Sequence, residues 1–413
     1  MNVRIHQGVA IAFVVFLSFT LTVGITQYSF GVFVTEIEDD LGWSRAEITA
    51  AVSFFALVGI FSLPAGWLLD RYGARPVMAV SITALAVGYL LRPWMTEVWQ
   101  FYALNAIQFA AMPGAVIITA GRVVGEWFED NRGRAMGLTA MGANFGGIIF
   151  ASLTATLITT IGWRASYFVY GLLFAALVPV VLLVVRDRQR GTTATGEPAG
   201  DRTALLTGAS AAEAVRSRTF WLVTIALVFA TMTYGAVLPQ VVPHLENEGV
   251  SKTSAAAALS LFALFGMCGK VSFGWMTERL PSRYVMAACI GCQVTGLWVL
   301  LAAGSASWFW AAVPVFGLGF GALGAVMPLL VQETFGLRAF GTIFGLINFA
   351  TLGSALAGPL FVGASFEATG SYRFAFMALS VVFVVAAATV AFARPYTGAS
   401  MRPAAAPAAA DAS

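Results

Sequence analysis

Lys270 stands in an apolar stretch eight residues before Glu278, with no acid within one helical turn of it. A helix through this stretch rises about 1.5 Å per residue and so carries Lys270 about 12 Å away from its charged end. An ammonium at that depth in hydrocarbon costs several kcal/mol unless it faces water, a partner or a bound anion. The chemistry it offers is electrostatic: an anchor for an anionic ligand. Snorkelling toward the interface is the alternative use of a lysine there, and it recovers about half of the depth. Gly266 lies one turn earlier and Phe262 one turn before that, so the ammonium has space beside it but no carboxylate on its own helix.

Arg122 is the second basic residue far from a span end, about 9 Å along its helix from Phe128. Glu126 stands at i+4, where an intrahelical ion pair accounts for Arg122 without a ligand. On the other side, Gln108 lies fourteen residues earlier, nearly four turns, and so on almost the same face. A helix carrying Asn105, Gln108 and Arg122 has a polar stripe that lipid penalises. Tyr28, Tyr234 and Asn348 are further polar residues inside apolar stretches, as are Gln27, Asn144, Thr231 and Thr233. Any one of them is first an interhelical hydrogen bond worth about 1 kcal/mol. Every carboxylate lies in a loop or near the end of a span.

Nothing in the chain suggests an enzyme, a cofactor or a metal. Cys289-x-x-Cys292 lies in an apolar helix that contains neither of the two histidines, so its thiols are expected as small apolar fillers. Glycine-rich segments sit inside apolar helices, where they permit close helix contact and do not form phosphate-cradling loops. No nucleophile and base stand at a useful spacing.

Long apolar helices must hold these side chains, and the composition supplies them. With 59% hydrophobic residues, 10% charged and a mean hydropathy of +0.82, the chain has lipid as its main solvent. Runs of the roughly 20 residues needed to cross a bilayer recur along it, and the first lacks a signal-peptide cleavage site. The short alternating segments of a strand barrel are absent. Breaks at charged or turn-rich stretches give twelve spans, roughly 8–34, 47–69, 76–95, 99–125, 135–160, 164–185, 219–243, 254–276, 284–303, 307–331, 340–365 and 373–393. An even count puts both termini on one side. Sixteen of the 23 basic residues fall on the face of Arg4 and five on the other, which assigns the termini to the cytoplasm. The first external loop is acidic, with Glu36, Glu38, Asp39 and Asp40. The net charge of +3 is thus a topological signal and implies no nucleic-acid partner.

The sequence repeats itself after half its length. Gly66-Trp67-Leu68-Leu69-Asp70-Arg71-Tyr72-Gly73-Ala74-Arg75 returns as Gly274-Trp275-Met276-Thr277-Glu278-Arg279-Leu280-Pro281-Ser282-Arg283. Gly42-Trp43-Ser44-Arg45 returns as Gly249-Val250-Ser251-Lys252, Arg134-Ala135-Met136-Gly137 as Arg338-Ala339-Phe340-Gly341, and Gly162-Trp163-Arg164 as Gly370-Ser371-Tyr372-Arg373. Landmarks in the same order indicate two parallel six-helix repeats with a binding site between them. The expected domains are an N-terminal bundle 1–186, a cytoplasmic linker 187–218, a C-terminal bundle 219–396 and a disordered tail 397–413 of mostly Ala and Pro. The acids and arginines of the repeated motif are placed to bridge the bundles in one conformation and release them in another. This makes Gly66, Asp70, Arg71, Arg75, Gly274, Glu278, Arg279 and Arg283 candidate gating residues.

With Gly66, Asp70, Arg71, Gly73 and Arg75 in the pattern G-x-x-x-D-R-x-G-x-R, the chain resembles the major facilitator superfamily over about residues 8–395. Tyr28-Ser29-Phe30-Gly31-Val32-Phe33, Gly42-Trp43-Ser44-Arg45-Ala46 and Asp70-Arg71-Tyr72-Gly73-Ala74-Arg75-Pro76 look like its monocarboxylate porter and oxalate:formate antiporter branches. The resemblance implies an all-α membrane protein of twelve helices in two bundles, with Tyr28 and Tyr234 on pseudo-equivalent cavity-lining helices. Lys270-Val271-Ser272-Phe273-Gly274 is similar to the porters' R-P-S-x-G with lysine for arginine. Porters of the mammalian type also carry a lysine in span 1 and an aspartate one turn before that arginine; this chain has Tyr28 and Gly266 there. Span 5 lacks the glycine-proline pair of proton-coupled drug exporters.

The expectation is a monomeric secondary transporter of the inner membrane that takes up a small organic anion, a monocarboxylate first of all. Either a proton or a counter-anion is its second partner, lipid is its surroundings, and the substrate contacts are Lys270, Arg122, Tyr28, Gln108, Asn105, Tyr234 and Asn348. Efflux of a hydrophobic compound is the rival, for which two buried positive charges are odd. A receptor or scaffold of the same fold is the other, but the linker and tail offer no output domain.

Overall fold

The computed structural model describes residues 2–187, 207–237, 240–247, 249–303 and 309–396. Most of the expected linker, 188–206, and the tail 397–413 lie outside the described residues. Among those described, a single bridge between Gly208 and Gly336 is the only strand-like pairing. All else of length is helix, because in lipid only a helix satisfies its own backbone.

The membrane helices are α1 (Gln7–Tyr28), α2 (Arg45–Tyr72), α3 (Ala74–Trp94), α4 (Val98–Trp127), then one run Arg132–Val184 that Gly162 divides into α5 and α6. They continue as α7 (Arg218–Val237), α8 (Lys252–Met276), α9 (Ser282–Ala303), α10 (Phe309–Phe335), α11 (Phe340–Thr369) and α12 (Arg373–Phe392). Gly162 has φ 82°, a left-handed conformation that breaks the run sharply without a connecting loop.

The repeated landmarks prove to be helix punctuation. Gly42 and Gly249 are left-handed at φ 68° and 85°, and the serines two residues on cap the next helices. Ser44 Oγ accepts from Glu47 N–H at 3.2 Å, and Ser251 Oγ from Ser254 N–H at 3.3 Å. The first span departs from expectation. α1 ends in a π-helical segment, Gly24–Tyr28, and after Ser29 a second helix, Phe30–Leu41, carries Glu36, Glu38, Asp39 and Asp40. What the charges suggested as a loop is helical, with Phe33 and Ile37 buried beneath the acidic face.

The halves meet along two seams, α2 against α11 and α5 against α8. Both depend on glycine. A Cβ on Gly66 would fall on the Gly341 carbonyl, and one on Gly133 on the Gly274 carbonyl, so the backbones touch where the repeated motifs begin. Gly345 against Ser62 and Gly137 against Lys270 continue the two contacts further into the membrane.

Candidate functional site

Lys270 lies on α8 where α5 crosses it, 9% exposed. Its Nζ donates to the Ala140 carbonyl at 3.1 Å and to Asn144 Oδ1, both on α5 and both uncharged. Among the described residues no carboxylate pairs with it. A Cβ placed on Gly324 of α10 finds only Lys270 Cε within 4 Å, at 3.7 Å, so there is free space beside the side chain. The ammonium is thus a dehydrated cation held by neutral dipoles, with room for a methyl-sized group at Gly324 beside its chain. Asn144 was one polar residue among several in the sequence. Nothing local marks it, because its partner belongs to the other half.

Tyr28 and Tyr234 end up 41% and 43% exposed at the π-helical segments of α1 and α7, Gly24–Tyr28 and Thr233–Val237. The Tyr28 ring covers Gly147 of α5; the Tyr234 ring lies 5.0 Å from that of Phe320 on α10. Asn348 is half-buried and donates Nδ2 to Phe344 O of its own helix at 2.9 Å. Thr231 and Thr233 make interhelical bonds, to Ser354 and Gln293.

Three sequence candidates are engaged elsewhere. Arg122 pairs with Glu126, donates to the Leu337 carbonyl across the halves and stands 3.6 Å from Asp70 Oδ1, which makes it part of the closure at the motif face. Asn105 and Gln108 point their oxygens at Arg92, at 3.2 and 2.6 Å. Arg92 lies near the end of the expected span 76–95, yet it is 3% exposed and its guanidinium also lies over the rings of Tyr89 and Tyr167 at 4.2 and 5.0 Å. The signal was present in Asn105 and Gln108, a polar pair on an apolar helix that needed a donor. Arg92→Met leaves both oxygens unpaired, at about 1–3 kcal/mol each. It is expected to lower the unfolding temperature in detergent and to leave the KM of the surviving protein unchanged; a raised KM at unchanged stability would instead make Arg92 a ligand contact.

At the face of the repeated motif the acids, and not the arginines, cross the seams. Asp70 accepts from Gly341 N–H at 2.9 Å, Thr342 N–H at 2.7 Å and Thr342 Oγ1 at 2.8 Å, capping the start of α11. Glu278 accepts from Arg134 N–H at 2.9 Å and Arg134 Nε at 2.7 Å, capping α5. A carboxylate satisfies the free N–H groups and positive end of a facing helix, which a guanidinium cannot do. Arg71 lies over Trp67 and Arg279 over Trp275, while Arg283 bonds the Ala393 carbonyl and the Tyr284 hydroxyl, all within their own halves. Arg75 is exposed at the start of α3. Asp70 and Glu126 stand near helix ends, as the sequence placed every carboxylate, yet both are buried, Asp70 against the start of α11 and Glu126 beside Arg122.

Two parallel bundles of six membrane helices, joined by seams that are shut on the motif face, define a carrier of the helical membrane class. The chain belongs to the Major Facilitator Superfamily, whose profile it matches over residues 11–359. It is similar to the oxalate:formate antiporter of Oxalobacter formigenes, 24% identical over 90% of this chain and 88% of that one. It is also similar to monocarboxylate transporter 13 of Rattus norvegicus, 26% identical over 89% of this chain and 84% of the other. Among solved structures, the superfamily transporter FucP in its outward conformation superimposes with a TM-score of 0.73 at 14% identity, covering 92% of this chain and 98% of FucP.

Proposed function

We propose that the protein is a secondary transporter that carries a small organic anion, a monocarboxylate first of all, across a bacterial inner membrane by alternating access. The observation that carries this reading is Lys270: a buried cation at the junction of the halves, held by uncharged acceptors and with space beside it. A neutral or cationic cargo gives such a residue no use, whereas a carboxylate supplies the counter-charge it lacks. The names of the antiporter and the monocarboxylate transporter point to the same substrate class.

The bodies that rock are the halves 1–186 and 219–396 of a monomer, with Tyr28, Tyr234 and Asn348 as further substrate contacts. The basic excess on the motif face assigns that face, and with it both termini, to the cytoplasm. Asp70, Glu126 and Glu278 are already engaged by arginines and helix N-termini, which favours exchange of anions over proton symport.

The test is counterflow in proteoliposomes with labelled formate, acetate, lactate, pyruvate and oxalate beside a neutral sugar and an organic cation. At least one carboxylate is expected to accumulate against its unlabelled form, and the sugar and cation are not. Counterflow of the neutral or cationic probe alone would remove the anion reading.

A further inference from the structure

The two seams are related by the repeat, and they differ at one level. Lys270 stands eight residues before Glu278, as Ser62 stands eight before Asp70. Asn144 stands seven residues after Gly137, as Asn348 stands seven after Gly341. In the α2–α11 seam both residues bond within their own helices, Ser62 Oγ to Val58 O at 2.6 Å and Asn348 Nδ2 to Phe344 O at 2.9 Å. In the α5–α8 seam the equivalent positions reach across. Asn144 donates Nδ2 to Ala263 O at 2.8 Å and accepts from Lys270 Nζ at Oδ1. Ala263 and Lys270 are two turns apart on one face of α8, so a single amide of one half clamps two turns of the other.

We infer that Asn144 is an occupancy-sensing residue: it holds Lys270 across the seam while the carrier is empty, and a bound carboxylate takes the ammonium from it. This rests on the anion reading above. An ionised carboxylate is the stronger acceptor for an ammonium than a neutral amide oxygen. When Lys270 turns to the ligand, the α5–α8 seam loses its charge-assisted contacts at this level, to Asn144 and Ala140, and keeps Arg134–Glu278 at the motif face, while the α2–α11 seam is unaffected. A ligand shifts a conformational equilibrium only by its differential affinity for the two states, and this exchange of partners supplies the difference. The loaded carrier therefore parts at the motif face more readily than the empty one. An empty carrier that stays clasped cannot reset, so transport is exchange of one anion for another.

The test compares, in proteoliposomes of the full chain, exchange of a labelled carboxylate with its net efflux into buffer lacking it. The probe is whichever of formate, acetate, lactate, pyruvate and oxalate exchanges fastest in the wild type. Wild-type exchange is expected to exceed net efflux, and Asn144→Ala to raise net efflux relative to exchange by about tenfold. Asn348→Ala is expected to keep the wild-type ratio. Asn144→Asp gives Lys270 a permanent carboxylate and is expected to abolish both fluxes in a protein that still elutes as wild type. A wild type whose net efflux equals its exchange, an unchanged ratio in Asn144→Ala, or an equal shift in Asn348→Ala overturns the inference.

If Asn144→Ala does not reconstitute, spin labels at Tyr72 and Tyr284, exposed on the two halves at the motif face, decide in Asn144→Ser. Without ligand this variant is expected to gain a longer-distance population, and a distribution identical to the wild type's overturns the clasp. Lys270→Met separates the two readings. If it exchanges the probe as the wild type does, the anchor itself is wrong; if it is inactive while the Asn144 ratio is unchanged, only the clasp is.

Discussion

Lys270→Met is expected to abolish carboxylate counterflow, by about a hundredfold or more, in a protein that folds at least as well as the wild type. The two halves of that expectation have separate physical grounds. Removing one member of a desolvated charge pair costs about 2–5 kcal/mol of binding, and about 2.8 kcal/mol is a hundredfold. Stability moves the other way. Among the described residues Lys270 has Ala140 O and Asn144 Oδ1 as its acceptors, and Asn144 keeps its bond to Ala263 O when the ammonium is gone. Replacing a buried cation that has no counter-charge by an apolar chain of similar length is neutral or stabilising. Lys270→Arg retains the charge and is expected to retain measurable counterflow. The measurements are counterflow in proteoliposomes and thermal unfolding in detergent on the same preparations. Transport that survives in Lys270→Met would end the anchor hypothesis, and a large drop in stability would make Lys270 a structural residue.

Asp70→Asn is expected to impair transport far more than Glu278→Gln, although the two acids hold equivalent places in the repeat. Asp70 is buried, caps α11 with three hydrogen bonds and has the buried Arg122 beside it at 3.6 Å. An asparagine there turns one acceptor into a donor that faces the Thr342 N–H and leaves Arg122 to Glu126 alone. Breaking a buried pair from one side costs about 3–5 kcal/mol, all of it from the state closed on the motif face. Glu278 is itself only 10% exposed, but its partner Arg134 is 54% exposed and solvated, where Arg122 is 5%, and a pair open to solvent on one side contributes about 0–1 kcal/mol. The expected result is at least about a tenfold loss of transport, with the motif face open to alkylating reagents, in Asp70→Asn, against less than about threefold in Glu278→Gln. Equal effects would show that burial does not rank the two contacts.

That difference between the two acids is not written in the motif. The motif copies are alike in sequence, and their acids were recognisable as gating candidates because positive-inside bias requires arginines but no acid at a fixed spacing. Their arginines have the same pattern and yet stay within their own halves, because a helix N-terminus offers N–H groups that only an acceptor can use. The same gap explains Arg122. Its i+4 partner was visible, but Asp70 and the Leu337 carbonyl come from other helices, and these three engage its Nε and Nη1 at the motif face. Along the sequence Arg92 is only a basic residue near a span end; the packing of α3, α4 and α6 is what buries it.

By itself the amino-acid sequence determined the solvent, the number of spans, the duplication and the isolation of Lys270 along its own helix. Each of these follows from hydropathy and spacing within one segment, where the rise of a helix converts sequence into distance. Only the tertiary structure decided which half answers which. It matched Asn144 to Lys270, Asp70 to α11 and Arg92 to the polar pair of α4, because the register of one helix against another depends on side chains and glycines of both. The asymmetry between two seams of common origin is of that kind: Asn144 and Asn348 are the same residue in the same place of the repeat, and the partner across the seam makes one a clasp and leaves the other bonded to its own helix.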